Sequence, residues 1–144
     1  MKVKAKVEVE ENLRVREPEN KNTYNMKYNS FIDMPVWNEA VELSVKVFRL
    51  TIKLPRSEDY GLTSQLRRSA NSISANLAEG FGRRTMKDKS HFYIIARGSA
   101  FETQSHILYG NKVSYIDKKE SNELFDKYNS LIYSLNKLIK SLNS

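Results

Sequence analysis

From Leu124 to Leu142 the apolar side chains Leu124, Phe125, Tyr128, Leu131, Ile132, Leu135, Leu138, Ile139 and Leu142 recur at steps of three and four, a stripe sustained over nearly three heptads. Only an α-helix gathers such positions onto one face. Each of these side chains contributes about 1.5–3 kcal/mol when buried, far more than intrinsic helix propensity supplies. The stripe therefore demands other helices to cover it. Asp117 and Glu120 stand at capping-box spacing ahead of it and mark where the helix starts.

Three further segments supply the cover. In the first, Pro35 suits an opening turn and Asp33 is available as N-cap. Trp37, Ala40, Val41, Ser44, Val47, Phe48 and Thr51 then keep helical spacing until Pro55 closes the segment. Leu43, Leu50 and Ile52 fall on other faces, so this helix is expected to touch more than one neighbour, another subunit included. The second helix is expected from about Ser57, capped by that hydroxyl, with a core seam of Leu62, Leu66, Ala70 or Ser69, Ile73 and Leu77. Ser69, Ser72, Ser74, Ala75 and Ala78 beside it are short enough for a neighbouring helix to approach closely. Thr85 with Asp88 opens the third, whose stripe runs through Phe92, Ile95 or Ala96, Ser99, Thr103 and His106 or Ile107 and ends around Gly110-Asn111. Four long amphipathic segments joined by short connections give an all-α fold, an antiparallel up-down four-helix bundle over residues 31–144.

Residues 1–30 read differently. Val3, Ala5, Val7 and Val9 alternate with charged residues, which fits a short strand, but a helical chain offers it no pairing partner. The expectation is a weakly ordered extension, or a strand completed by another subunit, and Met26 is an alternative start for the compact domain.

The chain has no cysteine, which excludes thiol nucleophiles, disulfides and Cys-ligated zinc. His91 and His106 lack an HExxH arrangement, no Glu-x-x-His pair suits a di-metal bundle, and no serine sits in a GxSxG elbow. No catalytic residue, metal or cofactor is expected. An apolar run of about 18 residues, the length a membrane span needs, is missing, and the start MKVKAKVEVEEN lacks the apolar centre of a signal peptide, so a cytoplasmic protein is expected.

Charge is the remaining functional signal. The net charge is +7, and between Arg67 and Arg97 seven basic residues face two acidic ones. Gly-Phe-Gly-Arg-Arg at 80–84 is no phosphate-cradling loop, since neither a preceding strand nor a Lys-Ser/Thr pair accompanies it. Gly80 and Gly82 fit the end of the second helix, where a residue with positive φ is expected. Arg67, Arg68, Arg83, Arg84, Lys87 and Lys89 lie off the core seam and span roughly 24 Å along a hairpin at 1.5 Å per residue. Such a stripe suits a polyanion, RNA or DNA, bound through its phosphates, with Phe81 and Tyr93 near enough to stack on unpaired bases.

The runs LRRSANSISANLAEGFGRR, YIIARGSAFETQSHI and MPVWNEAVELSVKVFRL resemble the four-helix-bundle proteins encoded within intervening sequences of bacterial 23S ribosomal RNA genes, the S23 family, over about Phe31 to Leu142. The resemblance implies a cytoplasmic homo-oligomer, a pentameric barrel, without catalytic activity. The fold is also similar to the accessory variability protein of diversity-generating retroelements, a basic pentamer that binds a reverse transcriptase and nucleic acid. Arg67, Arg68, Asn76, Glu79, Gly80, Gly82 and Arg83 stand at the family's signature positions, as do Gly98, Ser99 and Glu102. Trp37, Asn76, Glu79, Gly80, Gly82 and Glu102 are expected in structural or subunit contacts, with Glu79 and Glu102 pairing with arginines to fix the hairpin register. Two positions depart from the pattern: Ser74 replaces a frequent proline, and Arg97 a small or apolar residue, which should turn outward or meet Glu79 or Glu102. The alternative reading is a scaffold or adaptor whose arginines serve assembly or an acidic partner such as a polymerase.

Overall fold

The computed structural model describes residues 28–143; the alternating Val3–Val9 segment and the rest of residues 1–27 lie outside them. Four helices follow in order, α1 (Pro35–Ile52), α2 (Leu62–Phe81), α3 (Met86–Lys112) and α4 (Lys118–Ser141), with short 3-10 turns at Phe31–Asp33 and Arg56–Glu58. No strand occurs among the described residues. Each helix packs on its neighbours in sequence, α1 closes onto α4, and the diagonal pairs make at most marginal contact. This is the up-down bundle that short connections dictate.

Helix starts follow their capping chemistry, with two changes from expectation. Thr85 Oγ1 accepts from the Asp88 amide at 3.1 Å, and Asp117 Oδ1 from the Glu120 amide at 2.8 Å. Asp33, however, caps backward, accepting from the Ser30 amide in a capping box of the 3-10 turn, and Met34 precedes α1 without a side-chain cap. Ser57 lies inside the second 3-10 turn, and Glu58 supplies the cap instead: its Oε2 accepts from the Leu62 amide at 2.9 Å, so α2 begins later than the hydroxyl would have set it. At the far end α3 runs past Gly110 to Lys112, and Ser114, at φ 66°, is the one non-glycine with positive φ among the described residues. That turn aims the Tyr115 and Ile116 amides at the Gly110 carbonyl, at 2.9 and 3.1 Å.

In α2 the seam Leu62, Leu66, Ala70, Ile73, Leu77 is buried as spaced, and in α4 Leu124, Tyr128, Leu131, Ile132, Leu135 and Ile139 form the inner face. In α1 the buried face is turned from the expected stripe, whereas in α3 Ala96, Ser99, Thr103 and Ile107 are buried as expected and Tyr93 takes the place of Phe92. In α1 the core takes Val36, Ala40, Leu43, Val47, Leu50 and Thr51, leaving Phe48 exposed and Trp37 and Val41 partly covered. In α3 it takes Tyr93, Ala96, Ala100, Thr103 and Ile107, while Ile94 and Ile95 face outward. Both helices are apolar on more than one face, so spacing alone could not choose the face.

The most extensive pairing in the bundle joins α2 to α3. Small hydroxylated side chains line it: Thr103 Oγ1 lies 2.9 Å from Ser69 Oγ, Ser72 and Ser99 hydroxyls meet at 2.9 Å, and Asn76 donates to the Ser72 carbonyl at 2.7 Å. Gly80 completes the contact, because a Cβ there would stand 2.7 Å from the Tyr93 ring. Its role is thus close approach rather than turn geometry, since no glycine among the described residues has positive φ and Gly82 sits at φ −74°. Gly80→Ala is expected to destabilise the bundle, because overpacking of about 1–3 kcal/mol exceeds the roughly 1 kcal/mol gained in helix propensity. Gly82→Ala, where the nearest atom would be 3.5 Å away, should change stability by less than about 0.5 kcal/mol. Chemical denaturation of the two variants checks the contrast.

Candidate functional site

One end of the bundle gathers the α2–α3 turn, the first turns of α1 and the last turns of α4. Arg83, Arg84 and Lys87 are exposed on the turn, and Lys137 and Lys140 are exposed near the end of α4. Arg83 is held on two sides, by Glu79 at 3.0 Å and by the Phe92 ring 4.6 Å from its guanidinium carbon. Lys137 lies 4.8 Å above the Tyr133 ring. Arg84 and Lys87 have no ion-pair partner among the described residues. Exposed surface pairs contribute little to stability, so the Glu79 contact does not bury the Arg83 charge.

The other expected cations separate from this cluster. Lys89 is only 6% exposed. Its ammonium donates to the Phe81 carbonyl at 2.5 Å and the Gly80 carbonyl at 3.4 Å, so it closes the C-terminal end of α2, where unpaired carbonyls and the helix dipole favour a cation. Burial lowers its pKa. It lies on the inner stripe of α3, four residues before Tyr93, and is no part of an outward track. Arg67 and Arg68, one step apart on α2, point to opposite flanks. Arg67 reaches α1, donating to Thr51 Oγ1 at 2.8 Å and stacking on Phe48, while Arg68 reaches α3, pairing with Glu102 at 2.6 Å. Of the six expected cations, then, Lys89 is buried, Arg67 and Arg68 stand apart on the two flanks of α2, and Arg83, Arg84 and Lys87 gather at a basic end that Lys137 and Lys140 of α4 also reach.

The expected structural residues divide as well. Glu102 does cross from α3 to α2, but Glu79 pairs with Arg83 four residues along its own chain and fixes no hairpin register. Arg97 meets neither acid, donating instead to Asn136 of α4 at 3.0 Å. Trp37 packs edge-on to Phe31, and Ser74, buried, bonds to the Asn71 carbonyl. His91 is exposed, and His106 lies 3.5 Å from Glu102. Tyr93, 3% exposed, offers no surface for stacking, and burial pushes its phenol up to about 12.

Two other surfaces stand out. A cleft of about 240 Å³ between α1 and α4 holds Lys46, Arg49, Lys53 and Lys127 but also Glu120 and Glu123, so its positive charge is partly offset. Apolar side chains on the outer faces of α1 and α3 form two seams: Val41, Val45, Phe48 and Ile52 on one, Ile94, Phe101 and Leu108 with Tyr109 alongside on the other. Phe101 is 54% and Ile52 63% exposed. Among the described residues no helix is long and apolar enough to cross a membrane, and no three His, Asp or Glu side chains cluster as metal ligands.

A family model described as 23S rRNA-intervening sequence protein matches residues 32–137. A crystal structure of a protein with unknown function from the S23 ribosomal protein family of Bacteroides thetaiotaomicron shares the fold at a TM-score of 0.68, with 23% identity over 73% of this chain and 98% of that one. No curated protein matches.

Lys89→Met is expected to lower stability by about 1–3 kcal/mol, because it leaves the Phe81 carbonyl at the end of α2 without its donor. Arg84→Gln should shift it by less than about 0.5 kcal/mol. Urea denaturation separates a cation that holds the fold from one that does not.

Proposed function

The chain belongs to the 23S rRNA-intervening sequence protein family, and from that premise we propose that it is a non-enzymatic, cytoplasmic, self-associating helical bundle that binds nucleic acid, RNA foremost, through its basic end. The observation that carries this reading is the exposed cluster of Arg83, Arg84, Lys87, Lys137 and Lys140 on rigid helix ends, of which only Arg83 has an ion-pair partner among the described residues. Phosphates recur along a strand, and each one neutralised releases counterions, so such a cluster gains most from a polyanion. Recognition here is by backbone charge; the cluster presents no helix shaped to read a duplex groove.

Self-association is supported by the apolar seams. At the centre of the α3 seam stands Gly98, exposed, with nothing within 4 Å of where its Cβ would be. Glycine in a helix interior costs about 1 kcal/mol against alanine, a cost that close approach of another helix explains. Because the two seams lie on different helices, the seam of one copy meeting the other seam of the next is a heterologous contact. Contacts of that type close rings, and an odd-numbered ring such as a pentamer needs them. The same seams also favour the second reading, a scaffold that receives a partner protein, such as a polymerase, and has no use for RNA.

Filter binding of single-stranded RNA is expected to show log affinity falling with log salt at a slope of roughly −3, as four engaged phosphates require. Replacing Arg83, Arg84 and Lys87 together by glutamine should flatten that slope by about 2 while leaving the helical signal intact. Salt-independent binding, or none at low salt, rejects the RNA reading and leaves the scaffold. For assembly, native mass of Phe101→Glu should fall to that of a single chain. A wild-type chain already monomeric at micromolar concentration would refute the ring.

A further inference from the structure

The basic end is hollow. A cavity of about 400 Å³ opens there between the first turns of α1, the start of α3 and the last turns of α4. That lies within the roughly 300–1,000 Å³ typical of small-ligand clefts. Met34, Val36, Phe81, Met86, Leu138 and Leu142 give it a mainly apolar wall. Three polar groups line it with hydrogen-bonding capacity left over. The Tyr93 hydroxyl, on a residue only 3% exposed, has no partner among the described residues. Lys89 carries three N–H donors and meets two carbonyls. Glu39, half-buried, has neither an ion pair nor a hydrogen bond to another described residue.

Loss of water marks all three. Burial raises the Glu39 pKa, helped by the charge of Glu42, pushes the Tyr93 phenol up to about 12 and lowers the Lys89 pKa. All three line the open cavity with hydrogen-bonding capacity to spare, so an occupant that supplies matching donors and acceptors gains bonds there.

The donor set selects among occupants. A fatty acid would satisfy Lys89, but its carboxylate would then stand in a cavity shared with Glu39. An organic amine has the converse conflict with Lys89. A flat heteroaromatic carrying donors and acceptors on one edge meets both: Glu39 accepts from it, and Lys89 and Tyr93 donate to it. Its faces lie against Phe81 and the methionine thioethers. Arg84 and Lys87 stand outside, where a sugar-phosphate chain would leave the cavity.

We propose that this cavity takes one unstacked nucleobase of a strand whose phosphates are held by Arg83, Arg84 and Lys87. The proposal rests on the nucleic-acid reading above and adds a preference to it. A base already single-stranded or bulged enters freely, whereas a paired one must first be unstacked at a cost of a few kcal/mol. Single strands and bulges are thus bound in preference to perfect duplex, without any groove readout.

The test uses the full chain with a single-stranded RNA carrying one 2-aminopurine, and with the matched perfect duplex, at one salt concentration. Binding should change the 2-aminopurine fluorescence to saturation. Tyr93→Phe, which removes only the hydroxyl, and Glu39→Met, which removes the acceptor at similar length, should each weaken single-strand binding about 5–10-fold, the loss of one hydrogen bond, and leave duplex binding unchanged. Fluorescence that never changes, or variants that bind both RNAs as the parent does, while salt-dependent binding persists, overturns the cavity proposal and leaves the surface reading standing. Failure of every RNA to bind at low salt overturns both. Circular dichroism of each variant establishes that the bundle is intact, and Glu39→Met, at a half-buried position near the start of α1, gives a readout even if Tyr93→Phe disturbs packing.

Discussion

A single methyl group added at Gly80 would reach within 2.7 Å of the Tyr93 ring, and this clearance sets how close α2 and α3 can lie. The same closeness is built all along the pair from serine, threonine and alanine, whose hydroxyls at Ser69, Ser72, Ser99 and Thr103 bond across the seam instead of facing an apolar wall. Helices joined this way have little room to slide, because each hydroxyl pair would lose its partner while still out of water. α1 and α4 then cover the remaining apolar faces, and the α2–α3 hairpin acts as the rigid frame for the turn at its end.

The position of charge follows from that frame. Bringing α3 so near the end of α2 drops Lys89 onto the last carbonyls of α2, where it becomes part of the structure. It also carries Glu102 to Arg68, which neutralises the middle of the hairpin. What is left uncompensated is the turn itself, Arg84 and Lys87, beside a cavity whose polar groups are not fully paired. The hairpin thus pushes unspent charge and unspent hydrogen bonds to one end of the molecule.

How much of this was legible in the sequence varies with each helix's contrast between faces. α2 and α4 carry polar outer faces, and their seams were readable, apart from Phe125, Leu138 and Leu142, which are only partly covered. α1 and α3 are apolar on two faces, so Leu43 and Leu50 were set aside and Phe92 and Ile95 were admitted to the wrong stripe. That ambiguity was itself informative, since it marks apolar surface that the bundle itself does not cover. Lys89 had a readable signal as well: at four before Tyr93 and seven before Ala96 it sits on the core stripe once the register is right. Spacing could not show that Glu58 would reach forward to cap α2, nor that Lys137 and Lys140, more than fifty residues beyond Arg84, would arrive at the same end.

The two apolar seams and the basic end bear on one another through symmetry. In any ring closed by rotation, equivalent atoms of every copy lie at the same height along the axis. Copies joined through the flanks of α1 and α3 would therefore bring all their basic ends to one face, each with its own cavity. A strand crossing that face would meet several cation clusters in succession, and after the first engages, the next binds at a high effective concentration. A modest cluster of Arg83, Arg84 and Lys87, weak in a single bundle, would then suffice for stable binding, and charge recognition would depend on assembly without any arginine lying in the subunit interface.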